Sequence, residues 1–117
     1  MKTEKSFLLE LFKRGVNSCL PSVCLPRYLS EVDISQGVCI IGAGKAAADM
    51  AAAVYAKYGD ACFGKVVTRY GYGTKLPTGN IEVLYAAHPI PDEKSLEAGL
   101  ALLDLARNNP ANIPIIF

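Results

Sequence analysis

Two rhythms of apolar residues run along the chain. Between residues 4 and 17, Phe7, Leu8, Leu11 and Phe12 recur at helical spacing with lysine and glutamate between them, which predicts an amphipathic helix. At Val38-Cys39-Ile40-Ile41 the rhythm changes to an unbroken apolar run bounded by Gly37 and Gly42. Such a run predicts a short strand buried on both faces. From Lys45 to Tyr58 there is no Gly or Pro and alanine dominates, so a helix is predicted, with Gly59 as its C-terminal cap. Lys65–Thr68 and Ile81–Tyr85 predict a second and a third strand, and the glycine-broken stretch from Arg69 to Lys75 a loop behind the second. Asp92 stands where a helix N-cap is expected. Leu96, Leu100, Leu103 and Leu105 mark a second long helix that stops before Pro110. Ile113–Phe117 begins a fourth strand. Residues 17–37 hold two prolines and many polar residues, and predict a loop with a short helix around Arg27–Glu31.

Strands alternating with long helices define an α/β fold with a mostly parallel sheet and flanking helices. Residues 38–41, 65–68 and 81–85 are expected in one sheet, the first two as parallel neighbours or near-neighbours. The chain ends on an apolar IPIIF in mid-strand. This leads to the expectation that it is an incomplete amino-terminal fragment of a longer protein. The alternative is that these residues close one edge of a small sheet.

Composition narrows the function classes. The chain has 117 residues, is 51% hydrophobic and carries a formal net charge of +1, which suits one domain with a real core and argues against nucleic acid or an anionic membrane as partner. Four cysteines form no CxxC pair and there is one histidine, so a zinc site is not expected; Cys39, inside the first apolar run, is expected as a small buried hydrophobe. Charges interrupt the apolar residues of the amino-terminal stretch, unlike a signal peptide, and no window reaches the roughly 20 apolar residues of a membrane span. A cytoplasmic, thiol-reduced setting is the expectation.

The chemistry concentrates after the strands. Gly42-Ala-Gly44-Lys45 joins the first strand to the alanine-rich helix. Unpaired N–H groups and the helix dipole make such a turn able to hold an anion, and Lys45 would add a full charge. The P-loop pattern G-x-x-x-x-G-K-[ST] is not met, since Ala46 follows the lysine. Gly42-x-Gly44-x-x-Ala47 does fit the relaxed dinucleotide pattern, yet the second strand ends on Thr68-Arg69, which could serve a 2′-phosphate but offers no ribose-binding acid. A turn built for close packing explains the glycines equally well; Lys45, with little packing purpose there, favours the anion. His88 taken alone is as readily a structural residue, Asp92 a cap, and Tyr70 and Tyr72 covers for the edge of the core. If the strands are parallel, all these segments meet at one carboxyl edge, where open α/β sheets bind ligands.

Three blocks, IIGAGKAAADMA, GKVVTRYGYG and AAHPIPDEKSLEAG, in this order and spacing, resemble the amino-terminal domain of the glycerate 2-kinases, some of which have been called hydroxypyruvate reductases. The resemblance spans roughly residues 6–117. It implies a Rossmann-like amino-terminal domain, occupying residues 1–117, of a two-domain enzyme whose second domain is absent here. The implied reaction moves phosphate from ATP, with Mg2+, to the 2-hydroxyl of D-glycerate, in a cleft between the domains. By the same resemblance, Gly42, Gly44 and Lys45 hold the phosphate-bearing cofactor, Thr68, Tyr70 and Gly71 form a substrate loop, and Lys45, His88 and Asp92 are the candidate catalytic residues, with Pro89 and Pro91 shaping their loop. No metal ligand is assigned. Tyr72 stands where the family commonly has histidine. The implied partners are a small hydroxy acid, the missing carboxyl-terminal domain and, optionally, further copies of the chain. The alternatives are an NAD(P)-dependent hydroxypyruvate or tartronate-semialdehyde reductase, and a stand-alone α/β binding domain.

Overall fold

The computed structural model describes residues 3–117. Its elements run α1 (Glu4–Ser18), α2 (Pro21–Cys24), α3 (Pro26–Leu29), β1 (Val38–Ala43), α4 (Ala47–Tyr58), β2 (Cys62–Arg69), β3 (Ile81–Ala86), α5 (Glu93–Asn108) and β4 (Ile115–Ile116). The strands form one sheet in the order β3-β2-β1-β4, and every described pairing is parallel. The expected neighbours β1 and β2 pair directly, with Val38 opposite Cys62 and Ala43 opposite Val67.

Parallel strands need cover on both faces, and β1 shows it: Val38, Cys39, Ile40 and Ile41 are all buried. Alternation returns in β2, where Cys62, Gly64, Val66 and Thr68 are buried and their neighbours half-buried. The core joins Val38, Ile40, Cys62, Val66 and Ile81 of the sheet to Ala47, Ala51 and Val54 of α4. Small residues let α4 sit close on the sheet. Gly42 serves the same end: it lies inside β1, and a Cβ there would meet Val66 Cγ1 at 3.2 Å. The expected buried thiol is found, since Cys39 is fully buried and desolvation raises its pKa.

Three sequence expectations are revised. The stretch 17–37 holds more helix than expected: the short helix expected around Arg27–Glu31 is found as α3, and Pro21 opens a further one, each proline suiting a first helical turn by its fixed φ. Tyr58 then ties α3 to α4 by donating its hydroxyl to the Leu29 carbonyl at 2.6 Å. The alanine helix starts at Ala47, which leaves Lys45 and Ala46 in the turn before it. In α5, Leu96, Leu100 and Leu103 are exposed, while Ala98 is buried against the sheet side. The leucine stripe thus marked a helix correctly but not its buried face. The amphipathic α1 forms as expected, yet Phe7, Leu8, Leu11 and Phe12 are exposed and its main contacts are with α2. Among the described residues, no helix is long and apolar enough to cross a membrane.

Candidate functional site

Parallel order puts the ends of β1, β2 and β3 side by side, and a cleft of about 360 Å³ opens there. It is lined by residues from all three strand ends, including Gly44, Lys45, Thr68, Arg69, His88 and Pro89. No aspartate or glutamate lines it.

The β1–α4 turn forms because Gly44 takes φ +136°, a conformation that side chains disfavour. Its N–H donates to the Val67 carbonyl at 3.0 Å, which anchors the turn on β2. Ala46 is the N-cap of α4 and supplies no capping side chain, and the N–H groups of Lys45 and Ala46 have no partner among the described residues. The exposed Lys45 thus lines the cleft beside the positive end of a helix of 12 residues. Gly42 does not line it; its close approach to Val66 is a packing contact.

Thr68 is 2% exposed. Its hydroxyl reaches the Lys45 carbonyl at 3.4 Å and the Tyr72 carbonyl at 3.3 Å, so it ties the lysine turn to the loop after β2. Arg69, which the residue-by-residue resemblance left out of the site, lines the cleft. Its guanidinium lies 4.6 Å from the centroid of the Tyr72 ring. The signal in the sequence was its place at the end of the second strand, opposite the lysine turn. Tyr70 and Gly71 lie outside the cleft lining.

His88 lines the cleft, is exposed, has no hydrogen bond among the described residues, and is joined to Pro89 by a cis peptide. The segment is held by Asp92, one carboxylate oxygen of which accepts from the Ala87 N–H at 3.3 Å, the Ser95 N–H at 3.0 Å and the Ser95 hydroxyl at 3.1 Å. The Asp92 N–H returns a bond to the Ser95 hydroxyl at 3.1 Å, which completes a capping box on α5. The second oxygen accepts from the Tyr70 hydroxyl at 2.8 Å. Asp92 is thus the knot between the loop after β2, the loop after β3 and the start of α5. Ser95, also absent from the sequence-based site, belongs to it and lines the cleft.

The Tyr70 bond is the main cause that holds the Asp92 carboxyl below its ordinary 3.8, with the Ala87 and Ser95 donors adding to it. The same bond raises the Tyr70 hydroxyl above its ordinary 10.0. A folded-state pKa below the unfolded one means that the charged knot stabilises the fold above the ordinary carboxylate value. That contribution is lost as pH falls through the folded value. Asp92→Asn is therefore expected to lower the urea midpoint at neutral pH, with the gap from the parent closing below about pH 3.8. It is also expected to bring the tyrosinate absorbance midpoint of Tyr70 down toward 10.0. A gap independent of pH, with an unmoved tyrosine, would show that the carboxylate is not the knot.

Comparison with known proteins gives the chain its relatives. The family described as Domain of unknown function (DUF4147) matches residues 7–117. An Agrobacterium vitis protein with a provisional hydroxypyruvate reductase name is 44% identical over 96 residues, which is 80% of this chain and 21% of that protein. A glycerate 2-kinase of Pyrococcus horikoshii is 44% identical over 82 residues, covering 68% of this chain and 18% of its own length. The crystal structure of a Thermotoga maritima glycerate kinase superposes with a TM-score of 0.79 at 29% identity, over 95% of this chain and 27% of that one. The chain thus spans roughly a fifth to a quarter of the length of these relatives. With the parallel α/β sheet, the lysine turn and the family match over nearly every residue, the chain belongs to the glycerate 2-kinase family and has the fold of its amino-terminal region.

Proposed function

We propose that the cleft is the anion-binding half of a kinase site, in which phosphate passes from ATP to the 2-hydroxyl of D-glycerate. The observation that carries this reading is a cleft lined by two cations and no acid, beside a turn whose Lys45 and Ala46 amides are unpaired among the described residues, at the carboxyl ends of three parallel strands. In phosphoryl transfer charge is spread over the migrating group, and catalysis is mostly positioning and electrostatic stabilisation. Lys45 and the amides of Lys45 and Ala46 take that role. His88, which has no hydrogen bond among the described residues, is the cleft residue placed to accept the hydroxyl proton. Asp92 has both oxygens occupied by donors, so it orients the His88 segment rather than serving as the base.

A phosphate group of ATP fits these donors. A divalent cation does not: Mg2+ takes carboxylate oxygens, none lines the cleft, and no cluster of three acidic, His or Cys groups exists among the described residues. No step here is routed through the metal. The 117-residue chain by itself is accordingly expected to show no ATP-dependent phosphorylation of D-glycerate in a coupled assay. Measurable turnover by the purified chain would refute that expectation.

The reductase reading has one observation in its favour, the G-x-G-x-x-A turn between β1 and α4. β2 ends in Arg69, which is not the acid that NAD binding calls for and would suit only the 2′-phosphate of NADP; against the reductase also stands the lysine directly after the glycines. The deciding experiment is a kinase assay on the intact gene product with D-glycerate and MgATP, beside a hydride-transfer assay with hydroxypyruvate. Phosphorylation without hydride transfer supports the kinase reading; hydride transfer alone overturns it.

A further inference from the structure

Resting on the anion-site reading above, the geometry points to a division of labour within the cleft: Arg69, stacked on Tyr72, is the fork that receives the substrate's carboxylate, and Lys45 with the amides of the turn before α4 receives the phosphoryl group. Arg69 is half-buried and lines the cleft, and among the described residues has no ion pair with an acidic residue. By contrast, Lys65 and Lys94 each pair with a glutamate, Glu82 and Glu97. An arginine kept from carboxylates of its own chain, in a cleft without acids, is left with its planar donors for an anionic ligand.

Tyr72 gives the guanidinium a fixed plane. The ring lies 4.6 Å from its carbon, and the Tyr72 carbonyl is reached by the buried Thr68 hydroxyl, which also reaches the Lys45 carbonyl. The Tyr72 N–H donates to the Arg69 carbonyl at 3.1 Å and closes the turn between them. Thr68 therefore lies between two anion subsites of different character, sharing its one hydroxyl proton with the backbone of both. One is a compact ammonium with amides, suited to a tetrahedral phosphoryl group. The other is a flat fork, suited to a flat carboxylate. The ligand class is a small molecule with a carboxylate and a phosphoryl-bearing carbon close together.

The test is binding to the 117-residue chain, followed by amide NMR shifts, with three probes. D-glycerate carries a carboxylate alone, glycerol 2-phosphate a phosphate alone, and 2-phosphoglycerate both. Arg69→Lys keeps the charge and loses the fork. It is expected to weaken D-glycerate and 2-phosphoglycerate about tenfold and glycerol 2-phosphate less than about twofold. Lys45→Ala should show the opposite selectivity. Tyr72→Leu should weaken D-glycerate severalfold, and Tyr72→Phe, which keeps the ring, should restore most of that loss. Equal loss for all three probes in Arg69→Lys, or no loss, overturns the carboxylate fork and leaves the Lys45 anion site standing. A parent chain that binds none of the probes overturns the anion site itself, and this assignment with it.

Discussion

Lys45→Ala is expected to lower the glycerate phosphorylation proposed above by at least about a hundredfold, the scale for losing one preorganised electrostatic group. The lysine follows a turn that Gly44 bends and Val67 anchors, so its charge is delivered beside unpaired amides without help from its own side-chain packing. The substitution removes nothing that holds the fold. Lys45 is exposed, and the group that Thr68 binds is its backbone carbonyl, which alanine retains. Melting temperature should stay nearly unchanged. Lys45→Arg should rescue only in part, because a flat fork does not reproduce a compact ammonium. Near-normal kinetics with a lowered melting temperature would make the glycine turn a packing device and remove the basis of the kinase reading.

Gly64→Ala should have the largest effect on stability, about 4 kcal/mol or more in urea unfolding, as expected where a substitution meets both strain and overlap. Gly64 lies within β2 opposite Ile40 of β1, at φ +154°. A Cβ there would overlap the Ile40 backbone itself, with no flexible side-chain end to move aside. Relief would require parting β1 from β2 at the centre of the sheet. Since the cleft is made from the ends of these strands, its probe binding should fail together with the fold. A well-folded Gly64→Ala chain with a normal urea midpoint would contradict this close approach.

Sequence alone determined the elements. The unbroken run at Val38–Ile41, the alanine helix closed by Gly59, and Asp92 ahead of α5 are set by local sterics, period and capping, all of which act within a few residues. Alternation of strand and helix likewise carried the parallel sheet. Which faces would be covered was not local. α5 shows leucines and alanines at helical spacing, and the close approach of helix to sheet chose small Ala98 over Leu96, Leu100 and Leu103. Proline at 21 read as loop, because a helix breaker and a first-turn residue look alike until the following turn is seen.

The site was decided by the tertiary structure. Strand order β3-β2-β1 brings together groups that no short motif links: the Thr68 hydroxyl with the Lys45 carbonyl, 23 residues away, and Tyr70 with Asp92, 22 residues away. Sequence patterns nominated Lys45 and His88 for the cleft, and both line it. They also nominated Gly42, which packs on Val66, and Asp92, whose oxygens are occupied by the loop it holds. Arg69 and Ser95 enter the cleft through the register of β2 and the first turn of α5. The reason is physical: hydrogen-bond and charge partners at a sheet edge are fixed by which strands lie side by side, and that choice is made by burial of the whole core rather than by residues near the site.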